Sequence, residues 1–276
     1  MFQSSLRTRA AVIISATLGL CALATVPATA QDRRQNEPGQ FDFYLLTLSW
    51  SPSFCEASAE RTTPATRGEG SADQAKPQTQ AQPAQPASEA ASEGAGDQPR
   101  RSARRNRDQQ CGDRPYAFVV HGLWPQYEGG FPEFCQSPAP RLNRNIVASM
   151  LDLMPSPQLI FHEWDRHGTC SGLSARAYFD NVRRARAVVK IPEQYLALQD
   201  PLTVSPTEVE DAFVKANAGM TRASISVACD SKRLNEIRIC MSKDFKFQDC
   251  PDVAQRTCKR DKLVMPPVRR ADASAR

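Results

Sequence analysis

The chain has three histidines in 276 residues, and they fall in two short segments, VVHGLWPQ with His121 and FHEWDRHGTC with His162 and His167. If residues 162–167 are helical, positions four apart are separated by about 40° of turn. Glu163 then neighbours His167, and His162 neighbours Arg166, so one turn presents a carboxylate, two imidazoles and a guanidinium while Phe161 and Trp164 pack inward. A zinc helix needs HExxH, whereas HExxxH turns the second imidazole roughly 140° away. No metal and no other cofactor is therefore expected. Two or three imidazoles with an acid and an arginine suit displacement at phosphorus by an internal hydroxyl. One imidazole takes the proton of the nucleophile, another protonates the leaving oxygen, and cations steady the phosphoryl charge. RNA carries such a hydroxyl at the 2′ position and DNA does not, so the expected partner is RNA. A single histidine is usually a packing or surface residue. Three of them in two segments, with Gly122, Gly168, Trp124 and Trp164 alongside, make an incidental origin a poor account.

Such groups need elements to hold them, and the sequence supplies one folding unit. Residues 1–30 read as an export signal: Arg7 and Arg9, an apolar run, then Ala28-Thr29-Ala30 as a cleavage site. An exported, periplasmic or secreted protein without a membrane anchor is expected. Loss of Cys21 with the signal leaves eight of nine cysteines, an even number with no CxxC pair, which favours disulfides. The formal charge of +5 is too small to argue for a polyanion by itself.

Residues 56–110 contain no Val, Ile, Leu, Met, Phe, Trp, Tyr or Cys. With nothing to bury against its ordering entropy, this stretch is expected to be a disordered insertion. Residues 41–49 and 116–120 read as strands, the second delivering His121 at its end, with Pro52 terminating the first. Residues 143–153 read as a helix. Ser174 caps another, and Ser205-Pro206-Thr207-Glu208 is a capping box opening a third. Residues 223–228, 236–241 and 245–247 read as short strands, and 259–276 as a loose basic tail. Strands and helices without regular alternation predict an α+β domain over 31–276, with its core at about 41–258.

At the level of motifs the chain resembles the T2 ribonucleases, secreted or periplasmic endoribonucleases. His121-Gly122-Leu123-Trp124-Pro125 is similar to the first active-site motif of that family. His162-Glu163-Trp164 with His167-Gly168-Thr169-Cys170 is similar to the second, and LTLSWSPSFC to the family's first strand and the segment after it. The resemblance implies a disulfide-stabilised α+β fold, a central antiparallel β-sheet with packed α-helices. It also implies cleavage of single-stranded RNA through a 2′,3′-cyclic phosphate to 3′-phosphate ends, with low base specificity. By resemblance, His167 is the first base and His121 the first acid. His162 binds phosphate, and Glu163 and Arg166 stabilise the transition state, Glu163 also biasing the neighbouring imidazole towards its charged form. Trp124, Pro125 and Gln126 contact substrate. The implied disulfides are Cys55–Cys111, Cys135–Cys170, Cys229–Cys258 and Cys240–Cys250. A monomer with no obligate protein partner is expected.

Three positions depart from the family pattern. Arg166 stands where lysine is usual, a planar fork in place of a compact ammonium. Ile160 replaces an aromatic residue, and Gln126 an acid. The alternative function is a secreted RNA-binding protein of the same fold with weak or no catalysis.

Overall fold

The computed structural model describes residues 36–62, 109–112 and 114–268. The expected export signal, residues 63–108 of the expected insertion and residues 269–276 of the expected tail lie outside these.

Two faces of one sheet set the architecture. Strands β1 (Phe43–Trp50), β2 (Phe118–Gln126), β4 (Ile225–Cys229) and β5 (Leu234–Met241) form an antiparallel sheet in the order β2-β1-β5-β4. A short antiparallel pair, β3 (Leu202–Val204) with β6 (Leu263–Met265), forms a second sheet that shares the main core. Side chains alternate across a strand. Leu46, Leu48 and Trp50 of β1 and Ile237, Ile239 and Met241 of β5 therefore enter the main core, while Leu45 and Cys240 belong to a smaller apolar cluster. Each fully buried aliphatic or aromatic side chain contributes roughly 1.5–3 kcal/mol. The face bearing Leu45, Ser49, Glu236 and Arg238 is the one on which the polar site is built.

Helices cover the main core, and their starts follow the sequence. They are α1 (Ser51–Thr62), α2 (Arg144–Met150), α3 (Pro157–Arg166), α4 (Ala175–Val188), α5 (Pro206–Ala216) and α6 (Pro251–Ala254). Asn143, Ser156, Ser174 and Ser205 each accept a backbone N–H in the first turn of α2, α3, α4 and α5, and Glu208 completes the capping box of α5. Tyr178, Phe179, Val182 and Ala185 form the buried stripe of α4, and the Tyr178 hydroxyl donates to the Leu123 carbonyl at 3.0 Å. That bond ties α4 to β2 beside the first histidine motif. Ile160 is fully buried in the main core.

Disulfides join Cys55 to Cys111, Cys135 to Cys170, Cys229 to Cys258 and Cys240 to Cys250. The second is the one next to the chemistry, because Cys170 lies three residues after His167. It closes a separation of 35 residues, a constraint worth about 4 kcal/mol in the chain-entropy account.

Four expectations are corrected. The expected disordered insertion is corrected at both ends: residues 109–110 lie in a short 3-10 turn with Gln110 buried, and residues 56–62 are the second half of α1, in whose first turn Pro52 sits. Glu60 chelates the buried Arg233 through both oxygens at 3.0 and 2.9 Å, with Glu56 one turn earlier at 3.5 Å and Asp230 at 3.1 Å from Nε. Charge pairing across the fold thus replaces the aliphatic burial that this segment lacks. Residues 259–268 of the expected tail are ordered, because Leu263 and Met265 alternate inward with full burial and Trp50 donates its indole N–H to the Pro266 carbonyl at 3.0 Å. Residues 245–247 are a turn with one bridge, Met241 to Phe247, and Phe245 has φ of 63°. Finally, His121 lies in the middle of β2 rather than at its end.

Candidate active site

His121 is placed by a β-bulge. In the pairing of β1 with β2, Thr47 faces Gly122 and Leu48 faces Val120, which leaves His121 as the extra residue. A regular strand sends residues three apart to opposite faces. The bulge shifts that phase, so His121 and Trp124 both reach the same cavity while Val120 and Leu123 stay in the core.

The second motif arrives on α3. Positions 162, 163, 166 and 167 occupy an arc of about 140° on a helix. All four side chains line the cavity, with Trp164 on the far side donating to the Pro140 carbonyl at 2.7 Å. His167 is the C-cap, its N–H donating to the Glu163 carbonyl at 3.0 Å. Gly168 follows because a Cβ there would lie 2.5 Å from the Trp164 ring and 3.0 Å from Tyr178. The cavity has a volume of about 250 Å³ and takes in Leu45, Gln126, Phe131, Glu236, Arg238, Val253 and Arg256 as well.

Glu163 is the buried centre of the site. Its Oε2 accepts the Trp124 indole N–H at 2.6 Å, and its Oε1 lies 3.5 Å from His121 Nε2. Helical spacing suggests His167 as its partner, but the indole donor draws the carboxylate towards β2, so His121 is the imidazole that Glu163 favours in the charged form. Burial pushes the Glu163 carboxyl up to about 7, against the charge of His121 and the Trp124 hydrogen bond.

His121 and His167 are pushed in opposite directions. For His121, burial disfavours the cation, but the Glu236 carboxylate, hydrogen-bonded at 2.6 Å, and the charge of Glu163 outweigh it, and the pKa is raised. For His167, burial leads and the positive charges of Arg166, His162 and His121 add to it, so its pKa falls to about 3. The Nδ1 of His167 is buried without a hydrogen-bond partner among the described residues. The surroundings thus favour the cation at His121 and the neutral base at His167.

The remaining sequence-derived residues have distinct placements. His162 lines the cavity from its exposed rim. Arg166 directs Nε and Nη2 to Glu133 Oε2 at 2.8 and 2.7 Å, so its fork is braced by the loop that Cys135 anchors. Trp124 stacks on His167 with ring centroids 4.9 Å apart, meets the His121 ring edge-on at 5.5 Å and has Arg238 over it at 5.7 Å. Its geometry is that of a wall holding the imidazoles. Gln126 lines the cavity and donates to the Pro125 carbonyl at 2.9 Å. Pro125 is a correction: it is buried opposite Tyr44 in β1 and does not line the cavity, because the next strand position points to the other face.

Sequence reasoning missed Glu236, Arg238 and Glu133. The first two carried a signal in LNEIRICM, where charged residues alternate with aliphatic ones that a buried strand would use. Glu133 carried none, being one acid in a loop.

Known proteins resemble this chain in sequence and in fold. The model of the ribonuclease T2 family matches residues 41–250. A protein described as a probable ribonuclease from Haemophilus influenzae is 26% identical over 225 residues, covering 78% of this chain and 63% of that protein. A ribonuclease from Aeromonas hydrophila is 28% identical over 215 residues, covering 76% of each. Among solved structures, RNase NT in complex with 5′-AMP superposes with a TM-score of 0.53 at 21% identity over 82% of this chain and 98% of that one. An RNase-related protein from Calystegia sepium gives 0.54 at 17% identity over 83% and 98%, a likeness of fold. A family model covering most of the chain, together with both motifs converging on one cavity, establishes that the chain belongs to the ribonuclease T2 family of endoribonucleases.

Proposed function

We propose that the protein cleaves single-stranded RNA by acid-base transphosphorylation, with His167 and His121 exchanging protons across the cavity. The observation that carries this reading is their opposite protonation bias within one site, since environments that push two titratable groups apart assign an acid and a base. Neutral His167 takes the proton of the 2′-hydroxyl, whose oxygen attacks the adjacent phosphorus. The bond from phosphorus to the 5′-oxygen breaks, and His121 gives its proton to that oxygen. In the second step neutral His121 takes a proton from water. The resulting hydroxide opens the 2′,3′-cyclic phosphate, and His167 returns its proton to the 2′-oxygen, leaving a 3′-phosphate. His162 and Arg166 supply positive charge to the phosphoryl oxygens. Glu163 supports the charged form of His121.

Trp124 holds both imidazoles, and Phe131, exposed at the cavity, offers a ring face that any base can stack on, which supports low base specificity. Eight paired cysteines support export to an oxidising compartment, periplasmic or extracellular, and action as a monomer is part of the same reading. The test is incubation of the oxidised protein with RNA and with DNA of the same sequence, in chelator. RNA alone should be cut, and His121→Ala and His167→Ala should each lose nearly all activity. Undiminished cutting by either variant would overturn the assignment.

A further inference from the structure

We infer that Glu236 is a positioning residue for the proposed reaction: reaching across β1, it fixes the tautomer of His121 so that one ring nitrogen, Nε2, serves both steps. The inference rests on the assignment of His121 as the first acid.

The geometry begins with three strands. β2 and β5 flank β1, so at about 4.8 Å per strand they are roughly 10 Å apart. A side chain from each can meet only over a small residue of β1, and Ser49 is that residue. It pairs with Glu236 in β5, and its Oγ lies 3.4 Å from His121 Nδ1. Above it, Glu236 Oε1 stands 2.6 Å from the same Nδ1. The other carboxylate oxygen, Oε2, accepts from Arg238 Nε at 3.1 Å and Nη2 at 2.9 Å. Arg238 therefore keeps the carboxylate ionised and turned so that Oε1 is left for the imidazole. Glu236 is itself held below the ordinary carboxylate range: burial raises it, but the hydrogen bond and charge of His121 and those of Arg238 prevail.

A carboxylate at Nδ1 accepts a hydrogen bond from it in both states of the ring. As imidazolium, His121 carries Nδ1–H towards Glu236 and Nε2–H towards the cavity, where Glu163 Oε1 lies 3.5 Å away. After Nε2 gives up its proton, the neutral ring keeps Nδ1–H, and the lone pair left on Nε2 is the one that accepts from water. Without Glu236 the neutral ring could keep its proton on either nitrogen, and the fraction with Nε2–H could not act as base. Glu236 neither gains nor loses a proton over the cycle. The titratable and charged groups lining the cavity with His121 are His162, Glu163 and Arg166 of α3, His167 at its C-cap, Glu236 and Arg238 of β5, and Arg256 just after α6.

The test reads His121 directly by imidazole ¹⁵N NMR, which is tractable with three histidines. In the unmodified protein, the neutral ring should be the Nδ1–H tautomer; an Nε2–H tautomer would overturn the inference without any variant. In Glu236→Gln, which keeps the shape, the His121 titration should move down by about one unit, in line with the loss of a charge at hydrogen-bond distance. The alkaline limb of the kcat profile should move with it, giving about a tenfold loss of kcat on that limb for each unit, with KM changed less than about twofold. A Glu236→Gln protein whose His121 titration and pH profile match the wild type would overturn the inference, as would a uniform loss with an unmoved profile. Activity surviving in His121→Ala would instead remove the reading beneath it, so the two failures are distinguishable.

Discussion

Gly122→Ala is the sharpest probe of how tightly the site is built. A Cβ at position 122 would fall on Glu163 Oε2 and Trp124 Nε1 and lie 2.8 Å from Glu163 Cδ, where carbon atoms need about 3.5–4.0 Å. The glutamate side chain can swing, but it is buried and its Oε2 takes the Trp124 indole N–H at 2.6 Å, so swinging breaks that bond. A hydrogen bond to a charged group is worth about 1.5–3 kcal/mol, and an extra methyl in a packed site costs about 1–3 kcal/mol. A loss near 3 kcal/mol would lower the melting temperature by roughly 6–12 °C for a chain of this size. Catalysis should suffer more: displacement of catalytic groups by about 1 Å costs about a hundredfold in kcat/KM. The assay is kcat/KM on a short RNA beside a thermal melt, with Gly129→Ala as control, since a Cβ there meets nothing within 4 Å. A Gly122→Ala enzyme within twofold of wild type would refute the role of Glu163 as a fixed centre.

The same contacts set other outcomes. Because His167 is neutral above about pH 3 while the pKa of His121 is raised above its ordinary 6.5, kcat should fall as pH rises through the raised His121 value; a profile rising continuously to pH 9 would contradict the assignment. Burial places the folded Glu163 carboxyl at about 7, above its unfolded 4.5, so its ionisation weakens the fold above that range and the effect vanishes below 4.5. Glu163→Gln should therefore melt higher than wild type at pH 8, by up to about 3 kcal/mol, with a shrinking difference towards pH 4 and with reduced activity. Replacing Cys135 and Cys170 by alanine should cost about 2–5 kcal/mol in chemical denaturation and loosen the Glu133 brace on Arg166. Arg233→Met should increase amide exchange in residues 56–62, because it removes the cation that Glu56, Glu60 and Asp230 share.

Much of the site was legible because its chemistry sits in two contiguous motifs. His121, His162, Glu163, Arg166 and His167 needed only helical spacing and an unusual economy of histidine to be grouped, and the capping serines gave the starts of α4 and α5. The features that stayed hidden depend on contacts between distant segments. The bulge at His121 is a mismatch between two strands and leaves no mark in either. Glu236 acts on His121 across 115 positions and one intervening strand. The helix over residues 56–62 looked like insertion because its composition lacks large apolar residues, and its support comes from Arg233 in a turn far along the chain. The ordered end at 263–265 was masked by surrounding lysine, arginine and proline, although its alternation of Leu263 and Met265 was visible.

The proposed mechanism stands on an internal hydroxyl performing the attack while His167 and His121 move the protons. The direct measurement uses a single-stranded oligoribonucleotide with one 2′-deoxy position, digested by the oxidised protein in chelator, and mass spectrometry of the ends. That mechanism requires cleavage after ribonucleotides with 2′,3′-cyclic phosphate appearing first and 3′-phosphate later, 5′-hydroxyls on the other fragments, and no cut after the deoxynucleotide. Cleavage after the deoxynucleotide, or 5′-phosphate ends, would contradict it.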